Sequence, residues 1–364
     1  GYLVGAGKGD LTGAIAGQGM MGYSDLSQVA TGLLQRVWAR AYIIADTASG
    51  KRIVFVNADL ACVFESHHVG VMNELRQRFG NLYTEENVNL NATHNHNSCG
   101  GTAWDYAYVL AALGHRENSY RAEVAGLVDA IVAAHHSLAP GTLELGHSEL
   151  HDASANRSLQ AFVNNPTPDR RHFPEHIDPQ VTSLRLRQGG NVIGEITWFA
   201  THGTSLTDAN TLISIDNKGY ASYLAEQSNP DVVASFPQTN AGDMSPNLGG
   251  SAGQRAEQVA QLGQGQACLP GDVADLDVVP GLLGGEAHQR LDGRLARGQR
   301  LLGRCGRHRQ GVGGVRLGRL GLGLGRAGAF GHGRAILVQS GLHVGSRGRI
   351  VRSGEHEPIV REVK

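Results

Sequence analysis

Four apolar runs in this chain each stop abruptly in a polar cluster: RIVFVNADL (52–60), NVNLNATHNH (87–96), VIGEITWFATHGTS (192–205) and VVASFPQTNAGDMSPN (232–247). β-Branched and apolar residues in runs this short read as buried strands, and the polar residues that end them read as loops. Between the runs lie stretches of helical period, SHHVGVMNELRQRFG (66–80), NSYRAEVAGLVDAIVAAHHSL (118–138) and DNKGYASYLAEQS (216–228). In the second, Val124, Leu127, Val128, Ile131 and Val132 recur on one helical face, and Ala139-Pro140-Gly141 stops the helix. VTSLRLRQGGNVIGEITWF (181–199) alternates about Gly189-Gly190 and predicts a β-hairpin. Strands alternating with helices predict an α/β, or layered α+β, domain on a mixed sheet. In such sheets ligands gather beyond the carboxyl ends of the strands, where these polar clusters lie.

The pattern stops near residue 250. Residues 1–250 carry 15 Lys and Arg against 24 Asp and Glu, whereas residues 251–364 carry 17 against 9. Glycine numbers 26 in the first part and 25 in the much shorter second. The overall charge of −1 therefore averages an acidic and a basic part and points to no partner. We expect 1–250 to be the folded core and 251–364 to be a Gly/Arg-rich tail, irregular or disordered, read from a shifted frame of GC-rich coding DNA. A basic tail that touches nucleic acid is the other reading of that segment. Cys62, Cys99, Cys268 and Cys305 are too scattered for a disulfide framework or a zinc knuckle. No run of about 18 apolar residues reads as a membrane-spanning helix. The opening GYLVGAGKGD has neither an initiator Met nor a signal peptide, which suggests a trimmed chain.

The chemistry collects at the strand ends. His94 and His96 lie two apart, so on a strand their imidazoles face the same side. The phrase Ala-Thr-His recurs as Ala92-Thr93-His94 and Ala200-Thr201-His202. Two histidines on neighbouring strand ends can share one zinc ion at about 2.0–2.1 Å. Taken singly, each His is more simply a strand-end residue bonded to backbone. In NAGDMSPN (240–247), Ser245 is either a nucleophile or a turn residue capping the next helix. Arg157, in DASANRSLQ (152–160), carries a forked, permanent cation suited to an oxyanion or carboxylate.

GKGDLTG, GMMGYSDLSQ, VNADL, NLYTEENV, ATHNH, NRSL, IDPQVTSL, WFATHGTS, DNKGYASYL and QTNAGDMSPNL, in this order, resemble the neutral/alkaline ceramidase family from Gly1 to about Leu248. The resemblance implies hydrolysis of the amide of N-acylsphingosine to sphingosine and a fatty acid, with one zinc ion per chain. It implies that His94 and His202 are zinc ligands, that His96 and Arg157 line the reacting centre, and that Ser245 is the active-site serine. It further implies a ceramide substrate met at a membrane surface, and a secreted or membrane-associated protein.

The chain departs from the family's pattern in two places. Asn97-Ser98-Cys99-Gly100-Gly101 stands where the family has Ser-Gly-Pro-Gly-Gly. The family's remaining ligands, a Glu and a Tyr from beyond its serine, have no counterpart after Gly250, where no Tyr occurs. We therefore expect weak zinc binding and weak activity. A lipid-binding remnant without turnover is the alternative.

Overall fold

The computed structural model describes residues 1–151 and 153–246, with the backbone of Ala274 and Asp275. These belong to the first of two units, Gly1–Arg297. The second unit, and the rest of the expected 251–364 tail, lie outside the described residues.

Eight strands follow one path: β1 (Tyr2–Asp10), β2 (Trp38–Asp46), β3 (Arg52–Ala58), β4 (Val88–Ala92), β5 (Ala139–Glu149), β6 (Gln180–Gln188), β7 (Asn191–Trp198) and β8 (Val233–Ser235). Their order is β8-β7-β6-β5-β1-β2-β3-β4, and Ala274–Asp275 adds to β5 off this path. The inner pairs are antiparallel, whereas β3–β4 and β7–β8, at the two ends, are parallel. This is the mixed, layered sheet that the alternation of strands and helices predicts. A parallel pair needs a crossover. Helix α1 (Glu65–Phe79) makes the first, α2 (Glu117–His136) leads from β4 toward β5, and α3 (Asp216–Ser228) makes the second. Among the described residues no helix is long and apolar enough to cross a membrane.

The hairpin expected about Gly189-Gly190 forms between β6 and β7, with both glycines at positive φ and a bulge at Leu186/Arg187. Sheet twist and the bulge let β6–β8 curl over β1 and β2. Val4, Tyr42 and Ile44 pack there against Leu186 and Ile196, and the Tyr42 hydroxyl lies 3.1 Å from the carbonyls of both Glu195 and Val233. The opposite face of β1–β3 carries α2, whose Leu127, Val128 and Ile131 are fully buried. Burial of each such side chain is worth about 1.5–3 kcal/mol.

Glycines on β1 explain how close that helix comes. A Cβ on Gly7 would lie 2.3 Å from the Ala134 nitrogen and 2.4 Å from the Ala130 oxygen. VGAGKGD is therefore a backbone groove along which α2 lies.

The same curl matters for function. It brings the carboxyl ends of β4 and β7, far apart in strand order, side by side, where Asn95 and Gly203 form a parallel bridge.

Candidate metal centre

Beyond β4 the chain runs Thr93-His94-Asn95-His96, and beyond β7 it runs Phe199-Ala200-Thr201-His202-Gly203. Strand alternation is not what aligns His94 and His96. The strand stops at Ala92, His94 takes a left-handed φ of 61°, and the His96 N–H donates to the Gly203 carbonyl at 3.0 Å. The two rings converge because the loop turns back against the other histidine loop, a tertiary contact that spacing does not contain. Gly203 permits this approach, since a Cβ there would lie 2.6 Å from the His94 oxygen.

The result is a cluster of three histidines, one ring nitrogen of each lying within 4.8 Å of the other two. His94 Nε2 is 3.1 Å from His202 Nε2 and 3.0 Å from His96 Nε2. The tautomers of two rings are fixed by their partners. His94 Nδ1 lies 2.9 Å from the Ala61 carbonyl and His202 Nδ1 2.9 Å from the Met244 carbonyl, and a carbonyl can only accept. Both Nδ1 atoms therefore carry the proton, and both Nε2 atoms present lone pairs. Two facing lone pairs do not form a hydrogen bond with each other; they suit a cation. Their 3.1 Å separation is near the roughly 3.3 Å edge of a tetrahedron of nitrogens around zinc. Ligating histidines characteristically donate the other ring N–H to a fixed acceptor, as these two do.

His96 differs. Its Nδ1 is buried with no hydrogen-bond partner among the described residues, and its Nε2 faces the lone pair of His94 Nε2 at 3.0 Å, so no backbone carbonyl fixes this ring as it does the other two. The Tyr23 ring stands edge-on against it at 4.9 Å between centroids. Burial, then the neighbouring His94, His202 and Arg157, push its pKa down to about 3. His202 is lowered too, by burial first and then by Arg157 and His94.

Arg157 reaches the cluster through a short antiparallel pair, Ala155–Asn156 with Met244–Ser245. One guanidinium nitrogen lies 2.9 Å from His202 Nε2 and 3.0 Å from the Gly242 carbonyl, while its backbone N–H donates to the Asp243 carbonyl. Ser245, in the same pair, is 1% exposed and adjoins Met244, whose carbonyl accepts both the backbone and the ring N–H of His202. His94, Arg157 and His202 line a cavity of about 460 Å³ with Ala92, Gln238 and Ala241. All five residues read from the sequence thus lie at one pole of the fold.

The sequence reading misses the residues that hold this pole together. Asp216, Asn217 and Lys218 head α3 and are almost completely buried. The Asp216 carboxylate accepts from the Ser205, Leu206 and Asn217 N–H groups and from Asn97 Nδ2, yet burial outweighs these bonds and raises its pKa to about 6. Asn217 Nδ2 donates to the His202 carbonyl at 2.8 Å. Lys218 Nζ donates to the carbonyls of Phe199 and Pro237, and burial lowers its pKa to about 7. One signal was available: three polar residues head an amphipathic helix directly after the apolar run LISI (212–215).

Fold and site together define a layered α/β protein with a histidine cluster able to hold a metal at its strand ends. The chain belongs to the neutral/alkaline non-lysosomal ceramidase family, whose N-terminal model matches residues 2–271. It is 45% identical over 251 residues to the neutral ceramidase of Pseudomonas aeruginosa, a match covering 68% of this chain and 37% of that protein. It is 39% identical over 258 residues to the neutral ceramidase of Mycobacterium tuberculosis, covering 68% and 40% respectively. The crystal structure of the Pseudomonas aeruginosa neutral ceramidase superposes with a TM-score of 0.69 at 41% identity, over 74% of this chain and 44% of that one. A solved structure described as ceramidase complexed with C2 gives the same TM-score and identity over 73% and 43%. The matched region thus spans about two fifths of the length of these relatives.

Proposed function

We propose that residues 1–250 form the metal-bearing core of a zinc amidohydrolase that cleaves the amide of ceramide to sphingosine and a fatty acid, in sphingolipid breakdown at an extracellular or membrane surface. The observation that carries this reading is the pair of Nε2 lone pairs on His94 and His202, aimed at one point with both tautomers fixed. Family membership supplies the substrate class.

In this reading His94 and His202 hold the zinc. Bound there, zinc supplies Lewis-acid polarisation of the amide carbonyl and makes water acidic enough to attack at neutral pH. The protein's own groups do the remainder. Arg157 offers N–H donors to the oxygen on which negative charge develops, worth several kcal/mol in a site that excludes water. Its N–H donates to the same His202 Nε2 lone pair that would hold the ion, so with an ion held there the guanidinium would be free for substrate. His96 is neutral, directs Nε2 at the same point and has an Nδ1 that no backbone carbonyl holds, which suits it to pass a proton from the attacking group to the leaving amine. Ser245 supplies the hydroxyl, as attacking group or as a hold on the carbonyl. With two anchored imidazoles among the described residues, we expect looser zinc binding than at a site with three protein ligands.

The test is zinc titration of the full chain with assay of fatty acid release from a short-chain ceramide analogue. Up to one equivalent of zinc and turnover that His94→Ala abolishes support the proposal. Binding of the analogue without turnover at saturating zinc would establish the lipid-binding remnant instead.

A further inference from the structure

Gln238 lies three residues beyond β8 and stands between the two Ala-Thr-His loops. Its Nε2 donates to the Thr93 carbonyl at 2.8 Å and to the Thr201 carbonyl, and its Oε1 accepts the Thr201 N–H at 3.2 Å. Thr93 and Thr201 immediately precede His94 and His202. Two carbonyls need two donors and one N–H needs an acceptor, and a primary amide supplies that set in a single planar group. An ionised carboxylate has no donor, and an ammonium has no acceptor.

The loops are tied on the far side of the histidines as well, where the His96 N–H donates to the Gly203 carbonyl. One tie would leave the two loops hinged. Ties before and after the ligand positions fix the separation between them. Gln238 is itself held in place: Lys218 Nζ donates to the carbonyl of the preceding residue, Pro237, at 3.2 Å and to the Phe199 carbonyl at 2.6 Å. That ammonium's donors thus go to the chain just beyond β7 and β8, ahead of His202 and Gln238.

We propose that Gln238 is a positioning residue that sets the distance between His94 and His202, and through it the metal affinity and geometry of the centre. The inference rests on the reading of these histidines as ligands.

The experiment uses the full chain with Gln238→Met, which keeps the volume and removes every polar contact, and Gln238→Glu, which keeps the acceptor and loses the donors. Zinc affinity is measured by competition with a chromophoric chelator, coordination geometry by the visible spectrum of the cobalt(II) protein, and folding by circular dichroism and the unfolding midpoint. Both variants should bind zinc about 10–100-fold more weakly than wild type, with an altered cobalt spectrum in folded protein. A merely structural residue would lower the unfolding midpoint and leave both metal readouts in place. Should Gln238→Met fail to fold, Gln238→Glu decides. The proposal is overturned if a folded variant binds zinc within twofold of wild type while His94→Ala does not bind it. If wild type binds neither zinc nor cobalt, the ligand reading falls and this inference falls with it.

Discussion

Replacing Arg40 by Met should be among the most damaging single changes outside the metal centre. Arg40 on β2 is wholly buried, with a guanidinium nitrogen 2.9 Å from Asp59 Oδ2 and Nε 2.7 Å from Glu226 Oε1. Glu226 on α3 also binds Lys8 Nζ at 2.6 Å, so one guanidinium joins the sheet to the helix that carries Asp216, Asn217 and Lys218. Desolvation pushes the Asp59 carboxyl up despite Arg40, whereas Glu226, held by two cations, stays below its ordinary value although burial opposes this. Removing Arg40 leaves Asp59 with the Trp38 N–H at 3.2 Å and an Oδ1 that has no partner among the described residues. Taking one partner from a buried ion pair costs about 3–5 kcal/mol, because the charge left behind is uncompensated. With a urea slope of roughly 3 kcal/mol/M, the unfolding midpoint falls by about 1–1.7 M. The orphaned Asp59 holds its proton to higher pH than it does in the unfolded chain, so the variant loses stability as pH rises above about 4. The penalty relative to wild type is thus larger at pH 8 than at pH 5. Urea titrations followed by circular dichroism at both values check this, and a shift under about 0.3 M, or equal shifts at the two pH values, would refute the reasoning.

Zinc calorimetry on single variants should show that His94→Ala and His202→Ala lose binding while His96→Ala stays within several-fold of wild type; equal loss in all three would make His96 a third ligand. Zinc at a hundred times its Kd should stabilise the chain by about 2.7 kcal/mol, read as a Tm rise of roughly 5–10 °C by scanning calorimetry and missing in His94→Ala. Gly7→Ala drives a methyl into the backbone of α2 and should cost about 1–3 kcal/mol in a urea titration. Burial lowers Lys218 to about 7 from its ordinary 10.5. Between those values the unfolded chain binds the extra proton, so wild-type stability should gain up to about 1.4 kcal/mol per pH unit relative to Lys218→Met. Parallel pH profiles for the two proteins would rule out the lowered Lys218 pKa.

Much of the scaffold is legible in the residues because the signals for it are local. The apolar period of 118–138 and the twin glycines at 189–190 each specify their element through contacts a few residues long. The repeated Ala-Thr-His likewise marks two strand ends before any fold is known. His94 and His96 are different: alternation predicts that their rings converge, and they do, but through a left-handed turn and a bond to Gly203 rather than along a strand. Gln238, Asn217 and Lys218 leave almost no trace, since a side-chain amide or amine that bonds to distant carbonyls looks in sequence like any polar residue. The chain's own letters determined the elements, the candidate ligands and the family, because propensity, periodicity and ordered motifs are properties of neighbours. The curl of the sheet, the two histidine tautomers and the clamp between the loops were decided by tertiary structure, because each depends on atoms that lie far apart along the chain and meet only when the core closes.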